Sequence, residues 1–385
     1  MRIWTLTYSV LVVALLTLSC AARFSIPREL PSEENQWRAV RGDNSGWAYA
    51  GEGTGKAAIL WRVKTKIPII SAPVAGDGAI FVPSPNRRVL VYGAETGKRI
   101  GRLWVDAMPD NGLALGGGLL AIAGRGEFNR IRVYDYHEGT FLWDRDSERS
   151  FAAPILVDSI LYFAISTGAI FSLDARTGEK NWRYKIDGAV IDHEPAFRDS
   201  LLFLVDSNKR LLALSADSGT VRWSLDLPSP PSGQAVVIPD HVIVSTMSGK
   251  ILAVLLDGSV RVSIDAPGEL GSPVACSGPT IYGVTKKGIV FAGDLGHGGI
   301  LWQTNLSAPV IAPPVIWGKQ IVIVTAEGKI YLLYFSDGAI EHTIDLEEPV
   351  TAPPIIYNSN LYIATETGEL IAITRNIQSL EHNNE

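Results

Sequence analysis

The chain has 385 residues, 46% of them hydrophobic, and its 34 Lys and Arg against 40 Asp and Glu give a net charge of −6. That size and apolar content suffice for a large core, and a mildly acidic chain without a Lys/Arg cluster argues against nucleic acid as a partner. Cys20 and Cys276 are the only cysteines, too few for a disulfide-stapled fold.

In chain order the first signal is Arg2, then the apolar run Val10-Leu11-Val12-Val13-Ala14-Leu15-Leu16, then Thr17-Leu18-Ser19-Cys20. A basic start, a short apolar core and a small residue before the cut predict a secretory signal peptide over 1–19. Ser19-Cys20 resembles the lipobox of bacterial lipoproteins, although Thr17 stands where that family usually has Leu. The resemblance implies lipidation at Cys20. Because Ala21 is not Asp, it also implies sorting to the outer membrane, on its periplasmic side. An ordinary signal peptide with an incidental cysteine and an uncleaved membrane helix both stay open. The stretch 3–18 is short for a full span and carries Thr5, Thr7, Tyr8 and Ser9. Residues 20–36, polar with Pro27 and Pro31, read as a lipidated tether.

From residue 57 to 375 one pattern recurs eight times at a spacing of about forty residues, the mark of a stacked or radial repeat. Its clearest copy starts at Ala153-Pro154, turns at Gly168 and closes with Asp174, Gly178 and Trp182. The closing triad returns as Asp135, Gly139, Trp143 and as Asp294, Gly298, Trp302, with Ser215 for Asp before Gly219 and Trp223. Gly168, Gly249, Gly288, Gly328 and Gly368 mark the middle turn, where glycine supplies a positive φ. Asn129 and Asn208 are expected to serve that turn in repeats without the glycine. Short apolar runs rich in Val, Ile, Leu, Tyr and Phe, with no lasting 3.6-residue period, predict strands. Four strands in forty residues make a propeller blade.

The eighth repeat ends at Arg375 without an outer strand, and residues 376–385 form a polar tail. The missing strand is expected at 57–62, so that the N-terminal strand completes the last blade and removes two exposed sheet edges. The predicted fold is therefore all-β: an eight-bladed β-propeller of four-stranded blades over 37–375, closed by the N-terminal strand. Trp61, Trp143, Trp182, Trp223 and Trp302 lie on outer strands and are assigned to packing between blades.

The Asp–Gly–Trp signature of Asp174, Gly178 and Trp182 resembles the pyrroloquinoline-quinone-like β-propeller repeat. The segment 37–46, with Trp37 and Arg41-Gly42-Asp43, looks like the lead-in of that family. The resemblance runs from about Trp37 to Arg375. It implies the fold, while function varies among members from cofactor-binding dehydrogenases to assembly scaffolds.

Chemistry-bearing patterns are sparse. The six histidines, His137, His193, His241, His297, His342 and His382, fall in different repeats or the tail, with no metal-ligand spacing, so no metal is expected. Asp192-His193-Glu194 is the nearest approach to a cluster. It sits in a loop before an inner strand and reads as a solvated turn or a partner contact. The glycine-rich stretch 112–126 reads as a turn inside a degenerate second blade, since no strand-to-helix switch follows it. Cys276 reads as a small buried hydrophobe.

No catalytic residue and no cofactor are expected. An exported propeller lipoprotein of this length is similar to the propeller lipoproteins of the outer-membrane β-barrel assembly machinery. That resemblance implies a non-enzymatic periplasmic scaffold that binds partner proteins through inter-blade loops, with Asp192, His193 and Glu194 as the candidates here. A propeller of another exported system stays open. A quinoprotein dehydrogenase would need a cysteine pair and cap insertions that this chain does not have.

Overall fold

The computed structural model describes residues 56–375, apart from 70, 106, 125–128, 148–151, 311 and 351, together with Ile26, Ala39, Gly42, Asp43 and the strand Tyr49–Ala50. Cys20, the stretch 1–19 read as a signal peptide, Trp37 and the residues 376–385 read as a tail lie outside the described residues.

Eight blades of four antiparallel strands follow one another around a ring, and one of the eight sheets carries a fifth strand. Blades 1 to 7 span 74–104, 113–147, 155–185, 196–226, 236–265, 275–305 and 315–345, each running from its innermost to its outermost strand. Blade 8 takes Ile355–Tyr357, Asn360–Ala364 and Glu369–Thr374 from the end of the chain and its outermost strand, Ala58–Lys64, from the beginning. Ala58 pairs with Thr374 and Lys64 with Glu369, so the closing strand lies two residues beyond the expected C-terminal limit of 62. Arg62 and Lys64 both reach the buried Glu369 carboxylate, at 3.1 and 3.7 Å.

The core lies between blades. Phe203, Val205, Leu211 and Ala213 of blade 4 pack with Val237, Val242, Val244 and Leu252 of blade 5, as two inner sheet faces do. Inner strands are therefore buried on both sides, like Gln320–Val324, whereas outer strands such as Ile340–Asp345 alternate towards solvent. The antiparallel order puts two sets of turns on opposite faces. One face carries the links from first to second and from third to fourth strands; the other carries the second-to-third turns and the connections between blades.

On that second face Gly168, Gly249, Gly288, Gly328 and Gly368 all have φ between 80 and 90°. At Gly328 an added Cβ would lie 2.0 Å from the Glu348 carbonyl oxygen, so close approach of the inter-blade link demands glycine there too. Blade 4 solves the turn differently from expectation: Lys209, with φ 59°, takes the left-handed position, and Asn208 does not. Lys209 stands fourteen residues before Trp223, as Gly168 stands before Trp182. Asn129 is the first residue of the strand Asn129–Asp135 and pairs with Ser147. The glycine-rich stretch 112–126 is also corrected. It forms two strands, Leu113–Gly116 and Leu119–Gly124, joined at left-handed Gly117 and Gly118, and blade 2 is complete.

Candidate functional site

Two features of the ring offer chemistry: the junctions between blades and the loop 186–195. At the junctions, every outermost strand carries a bulge at the same place, so the position just past it is equivalent in all eight blades. Trp61, Trp143, Trp182, Trp223 and Trp302 hold that position. Their indole N–H groups donate to the carbonyls of Ala94, Ala175, Ala216, Leu256 and Phe335 in the following blade, at 2.7 to 3.0 Å. Each indole also lies over a left-handed glycine of that blade; added Cβ atoms at Gly97, Gly178, Gly219, Gly258 and Gly338 would come within 2.8 Å of it. Five junctions thus share one wedge, satisfied in its polar atom and tight in its packing. The same position is Gly101 in blade 1, Val262 in blade 5 and His342 in blade 7.

Asp192, His193 and Glu194 lie between Lys185 of blade 3 and Ala196 of blade 4, on the face of the inter-blade connections. Buried Ala189 and Ile191 anchor this loop in the core, and Val190 exchanges hydrogen bonds with Ser207. Asp192 is half-exposed, and His193 Nε2 sits 3.7 Å from its Oδ1. Burial holds the His193 imidazole below its ordinary pKa of 6.5, and the nearby Asp192 charge opposes that shift. Glu194 is turned to the next blade, where Gln234 Nε2 donates to its carboxylate at 3.4 Å. The loop therefore brings Asp192 and His193 together and engages Glu194 with blade 5. Beneath it, fully buried Asp206 is held by the Arg210 guanidinium at 2.8 and 3.0 Å and by the Arg210 backbone N–H.

The sequence pattern missed three features. Tyr49–Ala50 adds as a parallel strand to Ile316–Trp317, the innermost strand of blade 7, and so occupies its axial edge. Ile26, inside the stretch read as a tether, is only 4% exposed and packs among Phe81, Leu113 and Tyr136. Trp317 is fully buried, donates to the Ser359 carbonyl and carries the Arg375 guanidinium 4.2 Å above its ring. Only Trp317 had a signal, a tryptophan outside the outer-strand register. Cys276 is fully buried in an innermost strand.

Quinoprotein chemistry would ask for metal donors near the axis. Among the described residues no group of three His, Cys, Asp or Glu side chains could hold a metal ion. The two cysteines are 256 positions apart in sequence (276 − 20), so no adjacent cysteine pair exists. The described residues do not fit such a group.

Comparison with known proteins gives this architecture a family. The chain belongs to the family described as outer membrane protein assembly factor BamB, whose model matches residues 127–269 and 261–378. It is 24% identical over 257 residues to the outer membrane protein assembly factor BamB of Yersinia pestis, a match covering 61% of this chain and 63% of the relative. It is also 27% identical over 179 residues to the quinoprotein alcohol dehydrogenase PedH of Pseudomonas putida, covering 41% of this chain and 29% of that enzyme. Both matches span less than two thirds of the relative. The crystal structure of BamB from Moraxella catarrhalis superposes with a TM-score of 0.72 at 16% identity, over 83% of this chain and 98% of the other, and so shares the fold.

Proposed function

We propose that this member of the BamB family is a non-enzymatic scaffold in outer-membrane β-barrel protein assembly. Lipid on Cys20 holds it to the periplasmic side of the outer membrane, and its inter-blade loops, with Asp192, His193 and Glu194 among them, bind partner proteins. The family match across 127–378 carries this reading. The loop 186–195 supports it, because half-exposed charge is held on buried anchors at Ala189 and Ile191 instead of being free to reorient.

Capture from detergent-solubilised outer membranes tests the reading. The parent protein is expected to retain β-barrel assembly proteins, and folded Asp192→Lys with Glu194→Lys protein to retain several-fold less. Parent protein that captures none of them refutes the scaffold role. Cys20→Ser should move the protein into the soluble periplasmic fraction, since acyl chains supply the membrane affinity. The similarity to PedH motivates one further arm. Pyrroloquinoline quinone with Ca²⁺ should leave the melting temperature unmoved, whereas a saturable rise would favour a dehydrogenase.

A further inference from the structure

Three junctions lack the tryptophan wedge, and two of them show what becomes of the vacancy. Between blades 1 and 2, where the wedge position is Gly101, Ile26 has moved in. Its backbone N–H donates to the Tyr136 carbonyl at 3.0 Å. Tyr136 follows Asp135 as Ala175 follows Asp174, so Ile26 uses the acceptor that an indole uses elsewhere. The Ile26 carbonyl lies 2.8 Å from His137 Nδ1, and His137 Nε2 lies 3.2 Å from Asp77. The aliphatic side chain and backbone of Ile26 thus replace the wedge in both packing and hydrogen bonding.

Between blades 5 and 6 the position is Val262, and next to it, on the side of its neighbour Arg261, a cavity of about 340 Å³ opens, lined in part by Ile238, Asp240, His241, Arg261, Pro279 and Leu295. Leu295 follows Asp294 and so holds the acceptor place of the repeat. The rest of the wedge seat is intact. Gly298 keeps its left-handed φ of 73°, yet an added Cβ there would find Val262 at 3.5 Å, where the other seats find an indole within 2.8 Å. His241 Nε2 is buried and makes no hydrogen bond among the described residues.

We propose that the junction of blades 5 and 6 is a socket for an extended segment of a partner protein. The segment inserts one aliphatic or aromatic side chain and donates a backbone N–H to the Leu295 carbonyl, as Ile26 does to Tyr136. A cavity of this size accepts one large side chain with part of its neighbours, and main-chain bonding plus a side-chain pocket is an established way to read a peptide. His241 Nε2 and the exposed Arg261 offer polar contacts at the seat and its rim. This deepens the scaffold reading and rests on it for the existence of a partner. The chain's own residues 376–385 fit less well, being polar apart from Ile377 and Leu380.

The probe is a labelled synthetic peptide of residues 22–30, the sequence around Ile26, titrated onto the full-length protein. Binding should saturate and slow amide exchange at 238–241 and 278–280. Val262→Trp should raise the melting temperature by refilling the seat and weaken the peptide at least tenfold. Unsaturable binding, undiminished binding to Val262→Trp, or protection only at 74–81 and 134–137 would each overturn the socket. So would a tenfold gain on deleting 376–385, which would make the tail the occupant. Exchange mapping on the parent protein keeps the test decisive should Val262→Trp fold poorly. In the membrane capture experiment, a Val262→Trp protein that retains partners as the parent does removes the socket and leaves the scaffold standing. A parent that captures nothing yet binds the peptide removes the scaffold alone.

Discussion

Blades 4 and 5 meet through Trp223, while blades 5 and 6 meet across Val262, and nearly everything else about the two junctions is the same. Both outer strands carry the bulge at the same place, and both following blades offer a left-handed glycine, Gly258 or Gly298. One indole N–H reaches Leu256; at the other junction a cavity stands beside Leu295. The backbone of the repeat therefore does not depend on its tryptophan. The wedge is a local filling, and a ring of eight can omit it and still close.

Closure itself is the condition on which both junctions depend, so removing it has the largest effect. Deleting 58–64 strips blade 8 of its outermost strand and leaves Glu369–Thr374 as a bare edge. The loss should be more than about 5 kcal/mol, on the scale of a domain's whole stability, with aggregation during purification. A deletion protein that unfolds in urea at the parent midpoint would show that the ring is held shut elsewhere.

The next test separates the junctions. Trp223→Ala should cost about 3–5 kcal/mol, the usual range for emptying a large aromatic seat. Val262→Ala, on a half-buried side chain beside an existing cavity, should cost only about 1 kcal/mol. Urea titrations of both proteins measure the gap. Equal losses would mean that the wedge contributes nothing particular and that the cavity is no vacancy.

Much of this was legible in the sequence because it is periodic. The Asp174, Gly178, Trp182 register gave the outer strands, Gly168 and its counterparts gave the middle turns, and the orphaned last repeat pointed to the strand found at Ala58–Lys64. What is not periodic was hidden. Ile26 and Tyr49–Ala50 belong to no repeat, and their seats are made by residues far along the chain, Tyr136 and Ile316–Trp317. Val262 stands where the tryptophan pattern breaks, but a missing tryptophan says nothing about whether its space is filled. Gly101 and Val262 both break the tryptophan pattern and differ in the structure because only the first junction has Ile26 lodged in it. The Asp192–Glu194 loop was legible as a position, not as a geometry: Glu194 bonds across to Gln234 because the two stand at matching places in adjacent blades.

Glycine substitutions sharpen the comparison at smaller scale. Gly258→Ala and Gly298→Ala both force an L residue into a positive φ, 94° and 73°, at about 1 kcal/mol each. Only Gly258 has an indole waiting, with Trp223 atoms 2.8 Å from the added Cβ, against 3.2 Å to a backbone oxygen at Gly298. Gly258→Ala should therefore lose about 1–2 kcal/mol more by overpacking. That excess should vanish in a Trp223→Ala background, which a double-mutant cycle reads directly. An excess that persists without the indole would place the strain in the backbone.

The smallest expected effect concerns the loop that presents charge, not the junctions. His193 is held below its ordinary pKa of 6.5 by burial, with Asp192 pulling the other way. As pH falls through 6.5 the unfolded chain takes up a proton that the folded chain still refuses. The His193 contribution to stability is thus fully present above 6.5 and is lost as pH falls towards the folded pKa. His193→Gln should flatten this part of the pH profile between 7.5 and about 5 in urea titrations. Asp192→Asn removes the opposing charge, so it should depress the imidazole pKa further and deepen the loss. The imidazole resonances followed by NMR report the same shift without unfolding. A His193 titration that moves up when Asp192 is neutralised would show that the loop does not hold the two side chains together.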